Sequence, residues 1–163
     1  MGSRSKIAKS LERAYIAGFL DGDGSLMLQL KKRSDSKRGI RFMATICFYQ
    51  DTRHEKDLLW IRQILGIGYI SRRGDGMTEL RINGFKTIQE ILKELIPYIR
   101  FKAIQAKILL ESCLILSKTK LCMLDREQLV KIVDSILVIQ NENYVTKKKK
   151  TRLELLQTLG LTP

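Results

Sequence analysis

Long apolar runs are missing from this chain. None approaches the roughly 18 to 20 residues that a membrane-spanning helix needs, and the N-terminus lacks the uninterrupted hydrophobic stretch of a secretion signal. No membrane partner is therefore expected. Acidic residues are scarce, with 17 Asp and Glu against 30 Lys and Arg, a formal charge of +13 and a pI near 9.9. That excess points to a polyanionic partner and away from a small-molecule substrate. Cysteine is limited to Cys47, Cys113 and Cys122, an odd count without zinc-type pairs. A protein of a reducing, intracellular compartment (cytoplasm, nucleoid or organelle matrix) is the expectation. With 163 residues there is chain enough for one sizeable core and no reason to expect a second. Residues 1–163 are read as a single domain with a basic, Ser-rich mobile arm at 1–10 and a basic segment at 142–163.

What the chain does contain is Ala14-Tyr15-Ile16-Ala17-Gly18-Phe19-Leu20-Asp21-Gly22-Asp23-Gly24, the last turns of an apolar helix that stops on two closely spaced carboxylates. Ala14, Gly18 and Gly22 recur every four residues, so on a helix they form a stripe with almost no side chain. A glycine inside a soluble helix costs about 1 kcal/mol relative to alanine, so the stripe calls for a close-packing partner. Gly22 and Gly24 flank Asp23 and are expected to end the helix through left-handed or strained backbone angles. If the partner is the same helix of a second copy, two-fold symmetry brings two Asp23 carboxylates together, a cluster suited to hard cations. The pattern occurs once in the chain, so a two-fold site requires dimerisation.

Beyond Gly24 the period changes to two. Leu26, Leu28 and Leu30 alternate with Met27, Gln29, Lys31 and Arg33. After a polar turn at Ser34 to Gly39, Phe42, Ala44, Ile46 and Phe48 alternate with Arg41, Met43, Thr45, Cys47 and Tyr49. Asp51 or Thr52 is positioned to cap a helix over residues 54–65, which Gly66 and Gly68 end. A second hairpin, Tyr69 to Arg73 and Thr78 to Ile82, turns at Gly74-Asp75-Gly76 and adds Ser71, Arg73, Glu79 and Arg81 to the polar face. Helical periodicity returns from Phe85 to the break at Pro97. Further helices are expected at 101–118, at 126–141 behind an Asp125 cap, and at 152–159 beyond the Lys147 to Lys150 charge run. The class is α+β: helix, two strands, helix, two strands, helix, with helices on one face of a four-stranded antiparallel sheet.

The other face is basic and suits the edges of bases in a DNA major groove. Arginine grips guanine, glutamine grips adenine, and methionine or cysteine meets a thymine methyl. Double-stranded RNA fits less well, since its major groove is too narrow for side chains.

Ile16-Ala17-Gly18-Phe19-Leu20-Asp21-Gly22-Asp23-Gly24 resembles the LAGLIDADG motif of the homing endonucleases over nine consecutive positions. The resemblance implies an αββαββα fold with a saddle-shaped DNA-binding sheet. It also implies a homodimer that hydrolyses one phosphodiester per strand of a long, pseudo-palindromic duplex site, using Mg²⁺ or Mn²⁺. Asp23 and the Gly22 carbonyl would be metal ligands. Gln50 matches a position near the metal's water network, Lys102 matches a basic residue near the scissile phosphate, and His54 falls where a relative carries arginine. Ile104 replaces a second lysine common in that segment. Asp21 reads as a structural carboxylate. A DNA-binding module or an intron RNA-splicing maturase on the same scaffold is the alternative.

Overall fold

A computed structural model describes residues 2–34, 39–143 and 148–161. Its elements in order are α1 (Gly2–Asp23), β1 (Gly24–Lys32), β2 (Ile40–Asp51), α2 (Glu55–Leu65), β3 (Tyr69–Arg72), β4 (Met77–Asn83), α3 (Phe85–Leu95), α4 (Ala103–Leu116), α5 (Arg126–Glu142) and α6 (Arg152–Thr158). Short 3-10 turns lie at Thr52–His54, Ile96–Tyr98 and Leu121–Met123.

Helix α1 begins at Gly2, so residues 2–10 of the expected mobile arm are part of the helix. No proline interrupts the stretch, and Lys, Ala, Leu, Glu and Arg are good helix formers. Ser10 and Arg13 also fasten it to distant chain: the Ser10 and Tyr98 hydroxyls lie 2.7 Å apart, and Arg13 pairs with Glu94. At the other end, Gly24 does not adopt a left-handed angle. Glycine is needed there because a Cβ would lie 2.5 Å from Leu20 Cδ1 and 2.8 Å from the Leu20 Cα and carbonyl oxygen. The chain reverses from helix into strand hard against its own last turn.

The four strands form one antiparallel sheet in the order β1-β2-β4-β3. Register pairs Leu28 with Ala44, Ile46 with Ile82, and Phe48 with Leu80. One face therefore carries Leu26, Leu28, Leu30, Phe42, Ala44, Ile46, Phe48, Leu80 and Ile82, all buried. These pack in one continuous apolar cluster with Ile16 and Leu20 of α1, Leu58 and Ile61 of α2, Ile88 and Leu92 of α3, and Leu109 of α4. Phe19 stacks on Phe48 with ring centroids 6.1 Å apart, which seats α1 on the sheet. Each such aliphatic or aromatic side chain contributes about 1.5–3 kcal/mol on burial, so the sheet is a stiff platform.

Helix ends follow local chemistry. Gly66 ends α2 at φ 72°, Asp125 and Gln128 form a capping box on α5, and Thr151 and Glu154 form one on α6. Asp51 caps the 3-10 turn ahead of α2 rather than α2 itself. Of the expected polar turn, residues 35–38 lie outside the described residues, and so does Lys147 of the charge run. Helix α5 packs on α4 and β1. Asn143 Nδ2 and Lys150 Nζ donate to the Leu26 and Leu30 carbonyls of β1, each at 3.0 Å.

Candidate nucleic-acid interface and metal centre

Two residues of helix turn a side chain by about 200°, so Asp21 and Asp23 face opposite ways. Asp21 is buried, 8% exposed, and its carboxylate accepts the Arg100 amide at 2.6 Å and the Lys102 amide at 2.9 Å. The expectation of a structural carboxylate holds. Lys102 returns the contact, its Nζ donating to the Asp21 main-chain carbonyl. Burial pushes the Lys102 pKa below its ordinary value, against the opposing charges of Asp21 and Asp23. Asp23 is exposed and its carboxylate has no hydrogen bond or ion pair among the described residues. The fold thus sets a free carboxylate beside an anchored ammonium.

The glycine stripe on the same helix lies open. Gly18 and Gly22 are exposed, Ala14 is half-buried, and a Cβ on either glycine would meet no atom of its own chain within 4 Å. Leu11 and Tyr15 beside it are 66% and 60% exposed.

Gln50 lies near the end of β2, two residues past the pairing of Phe48 with Gly24, which places it alongside the end of α1. Its Oε1 accepts the Asp51 amide at 2.8 Å, leaving its NH₂ group to donate elsewhere. The Asp51 carboxyl is held down to about 2 by the Arg53 side chain and amide. His54 is exposed and caps α2 without a side-chain bond. Neither Gln50 nor His54 bonds to Asp21, Asp23 or Lys102 among the described residues.

The donors at the end of α1 fit a hard divalent ion. Asp23 has both oxygens unused, and Gly22 belongs to a last helical turn whose carbonyls lack amide partners within the helix. They supply only part of a coordination shell, and no group of three or more His, Cys, Asp or Glu among the described residues could hold a metal.

The polar sheet face is more closely packed than alternation implies. Lys31 faces Arg41 across the ladder and Gln29 faces Met43; Lys31 and Arg41 are exposed, while Met27, Gln29 and Met43 are half-buried. Arg33 follows β1 and its amide donates to the Gly39 carbonyl at 2.7 Å. Thr45 and Cys47, read as base-contacting residues, are instead 1% and 0% exposed. Strand β2 has neighbours on both sides, and their side chains cover its middle: Thr45 Oγ1 donates to Asn83 at 2.7 Å, and burial pushes the Cys47 thiol up to about 11. Glu79 is also buried, opposite half-buried Ser71 on β3 and between Arg73 and Arg81. Ser25, Tyr49, Tyr69 and Asn83 join the face, with the Tyr49 and Ser25 hydroxyls 3.0 Å apart. Tyr49 lies where alternation puts it, on the same side of β2 as Thr45 and Cys47. Burial pushes its hydroxyl up to about 12, so it stays a donor.

Comparison with known proteins bears on the same stretch. A family model described as LAGLIDADG endonuclease matches residues 16–109, from inside α1 into α4. The chain is 36% identical over 110 residues to DNA endonuclease I-CvuI of Chlorella vulgaris, covering 68% of each. It is 30% identical over 97 residues to DNA endonuclease I-CreI of Chlamydomonas reinhardtii, covering 60% of this chain and 59% of that one. A crystal structure of I-CvuI in complex with its target in the presence of Ca gives a TM-score of 0.74 at 27% identity, covering 96% of this chain and 99% of that one. A second, with the I-CreI target and 2 mM Mg, in which the DNA is not cleaved, gives 0.73 at 28%, covering 94% and 98%. Gly18 and Gly22 of the stripe, both carboxylates, all four strands and Lys102 fall inside the matched residues, and the chain belongs to the LAGLIDADG endonuclease family.

Proposed function

We propose that this protein is a site-specific homing endonuclease, a homodimer that binds a long pseudo-palindromic duplex and hydrolyses one phosphodiester in each strand. The observation that carries this reading is the open glycine stripe ending on an unpartnered Asp23 at the margin of a basic sheet face. Stripe on stripe, two chains bring two Asp23 carboxylates to the axis and two sheets into one long surface.

Each residue then has a task. Asp23 and the Gly22 carbonyl hold a divalent ion, Mg²⁺ or Mn²⁺. Bound there, the ion would supply Lewis acidity toward the scissile phosphate. The Gln50 amide, together with His54, orients water for attack. The Lys102 ammonium, pinned to the Asp21 carbonyl, steadies negative charge developing on the phosphate. Met27, Gln29, Lys31, Arg33, Arg41, Met43, Ser71 and Arg81 bind the groove and its phosphates. Arg41 and Lys31, opposed across the ladder, repel one another and gain from a shared phosphate.

Asp23→Asn separates binding from cutting. It removes one formal charge per subunit, so duplex affinity should hold or rise while cleavage falls by orders of magnitude across a Mg²⁺ and Mn²⁺ series. Undiminished cleavage by this variant overturns the assignment. Tight binding by wild type with no cleavage in any divalent metal would favour a DNA-binding module or a splicing maturase.

A further inference from the structure

The middle of β4 carries a carboxylate on a face otherwise rich in cations, and it is only 5% exposed. Both oxygens of Glu79 are engaged. Oε1 accepts from Arg73 Nη1 at 3.1 Å and Oε2 from Arg81 Nε at 2.6 Å. The two arginines are held in different ways. Arg73 gives Nη1 to Glu79 and Nη2 to Asp75, the latter at 2.7 Å, so carboxylates of its own chain occupy both of its terminal nitrogens. Arg81 gives only Nε, and its Nη1 and Nη2 have no partner among the described residues.

That difference decides which of them can read a base. The guanidinium end bearing Nη1 and Nη2 matches the O6 and N7 acceptors of guanine in the major groove. Arg81 presents that end with its Nε tethered and its side chain one-third exposed. Its cross-strand neighbours, Cys47 and Tyr69, bring no carboxylate to compete for it. A tethered fork loses less rotamer freedom on binding than a free one. Arg73 would have to surrender two ion pairs to make the same contact.

We propose that Arg81 reads a guanine in each half-site, that Glu79 is its positioning residue, and that Arg73 is a brace between Glu79 and Asp75 instead of a base reader. This rests on the DNA-binding reading above and names the base it recognises. Glu79 works without touching DNA: it aims the fork, and the two guanidiniums shield its charge from the phosphates.

The test is selection from a randomised duplex library by the full-length protein in Ca²⁺, with thermal unfolding of each variant alongside. Wild type should require guanine at one symmetric position per half-site. Arg81→Ala should cut that preference by roughly fivefold to a hundredfold, the range of one bidentate pair. Arg81→Lys keeps the charge and should lose most of the preference as well. Glu79→Gln removes a negative charge, so affinity for unrelated duplex should rise while the guanine preference drops severalfold at that position alone. A merely structural carboxylate would not single out one base pair. Arg73→Ala should leave the position unchanged. A guanine preference that survives Arg81→Lys and Glu79→Gln, or one abolished by Arg73→Ala, overturns the proposal alone. A wild-type profile flat at every position overturns site-specific binding and this proposal with it.

Discussion

Asp21 and Lys102 hold each other at both ends, the Asp21 carboxylate accepting the Lys102 amide while the Lys102 ammonium donates to the Asp21 main-chain carbonyl. Lys102 is the N-cap residue of α4, so this exchange, with the Arg100 amide as a third strand, ties the start of α4 to the end of α1. Asp21→Ala would leave those two amides without their acceptor and loosen the segment that carries Lys102, while the main-chain carbonyl that accepts its ammonium remains. A loss of about 2–4 kcal/mol in denaturant unfolding is expected, since each buried unsatisfied group costs about 1–3 kcal/mol. Single-turnover cleavage should slow by about tenfold or more. Asp21→Asn, which keeps one acceptor oxygen, should fall between. Wild-type cleavage by a destabilised Asp21→Ala would show that Lys102 needs no anchoring.

The pH dependence of cleavage should report on Lys102. Burial lowers its pKa below the ordinary 10.5, with Asp21 and Asp23 opposing. Between the lowered value and that of the unfolded chain, the folded state binds fewer protons. This residue therefore makes stability rise with pH in that window while the active ammonium is being lost. Cleavage should fall on the alkaline side earlier than an exposed lysine would allow. Lys102→Arg, which stays charged, should carry the plateau to higher pH whatever its absolute rate. An alkaline limb that does not move in Lys102→Arg belongs to another group.

Gly18 and Gly24 should fail in different ways. A side chain at Gly18 meets nothing in its own chain, so Gly18→Leu should give a folded monomer by sedimentation, with unfolding little changed from that of an isolated wild-type chain. A side chain at Gly24 strikes Leu20 main chain, so Gly24→Ala should lose about 1–3 kcal/mol or more of stability. A dimeric Gly18→Leu would remove the stripe from the interface.

Two buried thiols predict an alkaline weakness. Burial raises Cys47 from 9.0 to about 11 and Cys113 from 9.0 to about 12. The folded state then keeps protons that the unfolded chain releases. The resulting stability is full below pH 9 and drains as pH rises toward those folded values. At pH 10.5 each thiol accounts for about 2 kcal/mol of the loss, because every tenfold fall in proton concentration across that window costs about 1.4 kcal/mol per thiol. Cys113→Ala should show a shallower decline between pH 8 and 10.5 than wild type. In thiol labelling Cys122, the exposed cysteine, should react first and the other two only on unfolding.

Periodicity made the elements legible, because helices and strands here bury one face and expose the other. Ile88, Ile91, Leu92 and Leu95 mark α3, and Leu26, Leu28 and Leu30 mark β1, without help from distant chain. What alternation does not carry is depth. It assigns Thr45, Cys47 and Glu79 to the polar face, but their burial depends on what surrounds them: Asn83 bonds Thr45 across the ladder, Arg81 lies opposite Cys47, and Arg73 and Arg81 close over Glu79. The N-terminal residues look like a solvated tail because the partners that fix them, Tyr98 and Glu94, lie more than 80 positions away. The need for glycine at position 24 arises from a reversal that presses it on Leu20, which no local pattern encodes. Asp23 and Lys102 were legible through a motif. His54 has neither a motif of its own nor a side-chain capping bond on α2 to say what it does.

The two hydrogen bonds that Asn143 and Lys150 send to Leu26 and Leu30 also cover an edge of the sheet. Strand β1 is an outer strand, and its free carbonyls would otherwise template the addition of a strand from another molecule. The opposite edge, β3, is only four residues long, and Arg72 at its end is tied to Glu55. Removing residues 143 onward should therefore leave the chain able to fold yet prone to fibrous self-association. Light scattering and a cross-β dye would register the change before circular dichroism showed any loss of helix beyond α6. One edge of the sheet is thus covered by a lysine 120 positions further along the chain.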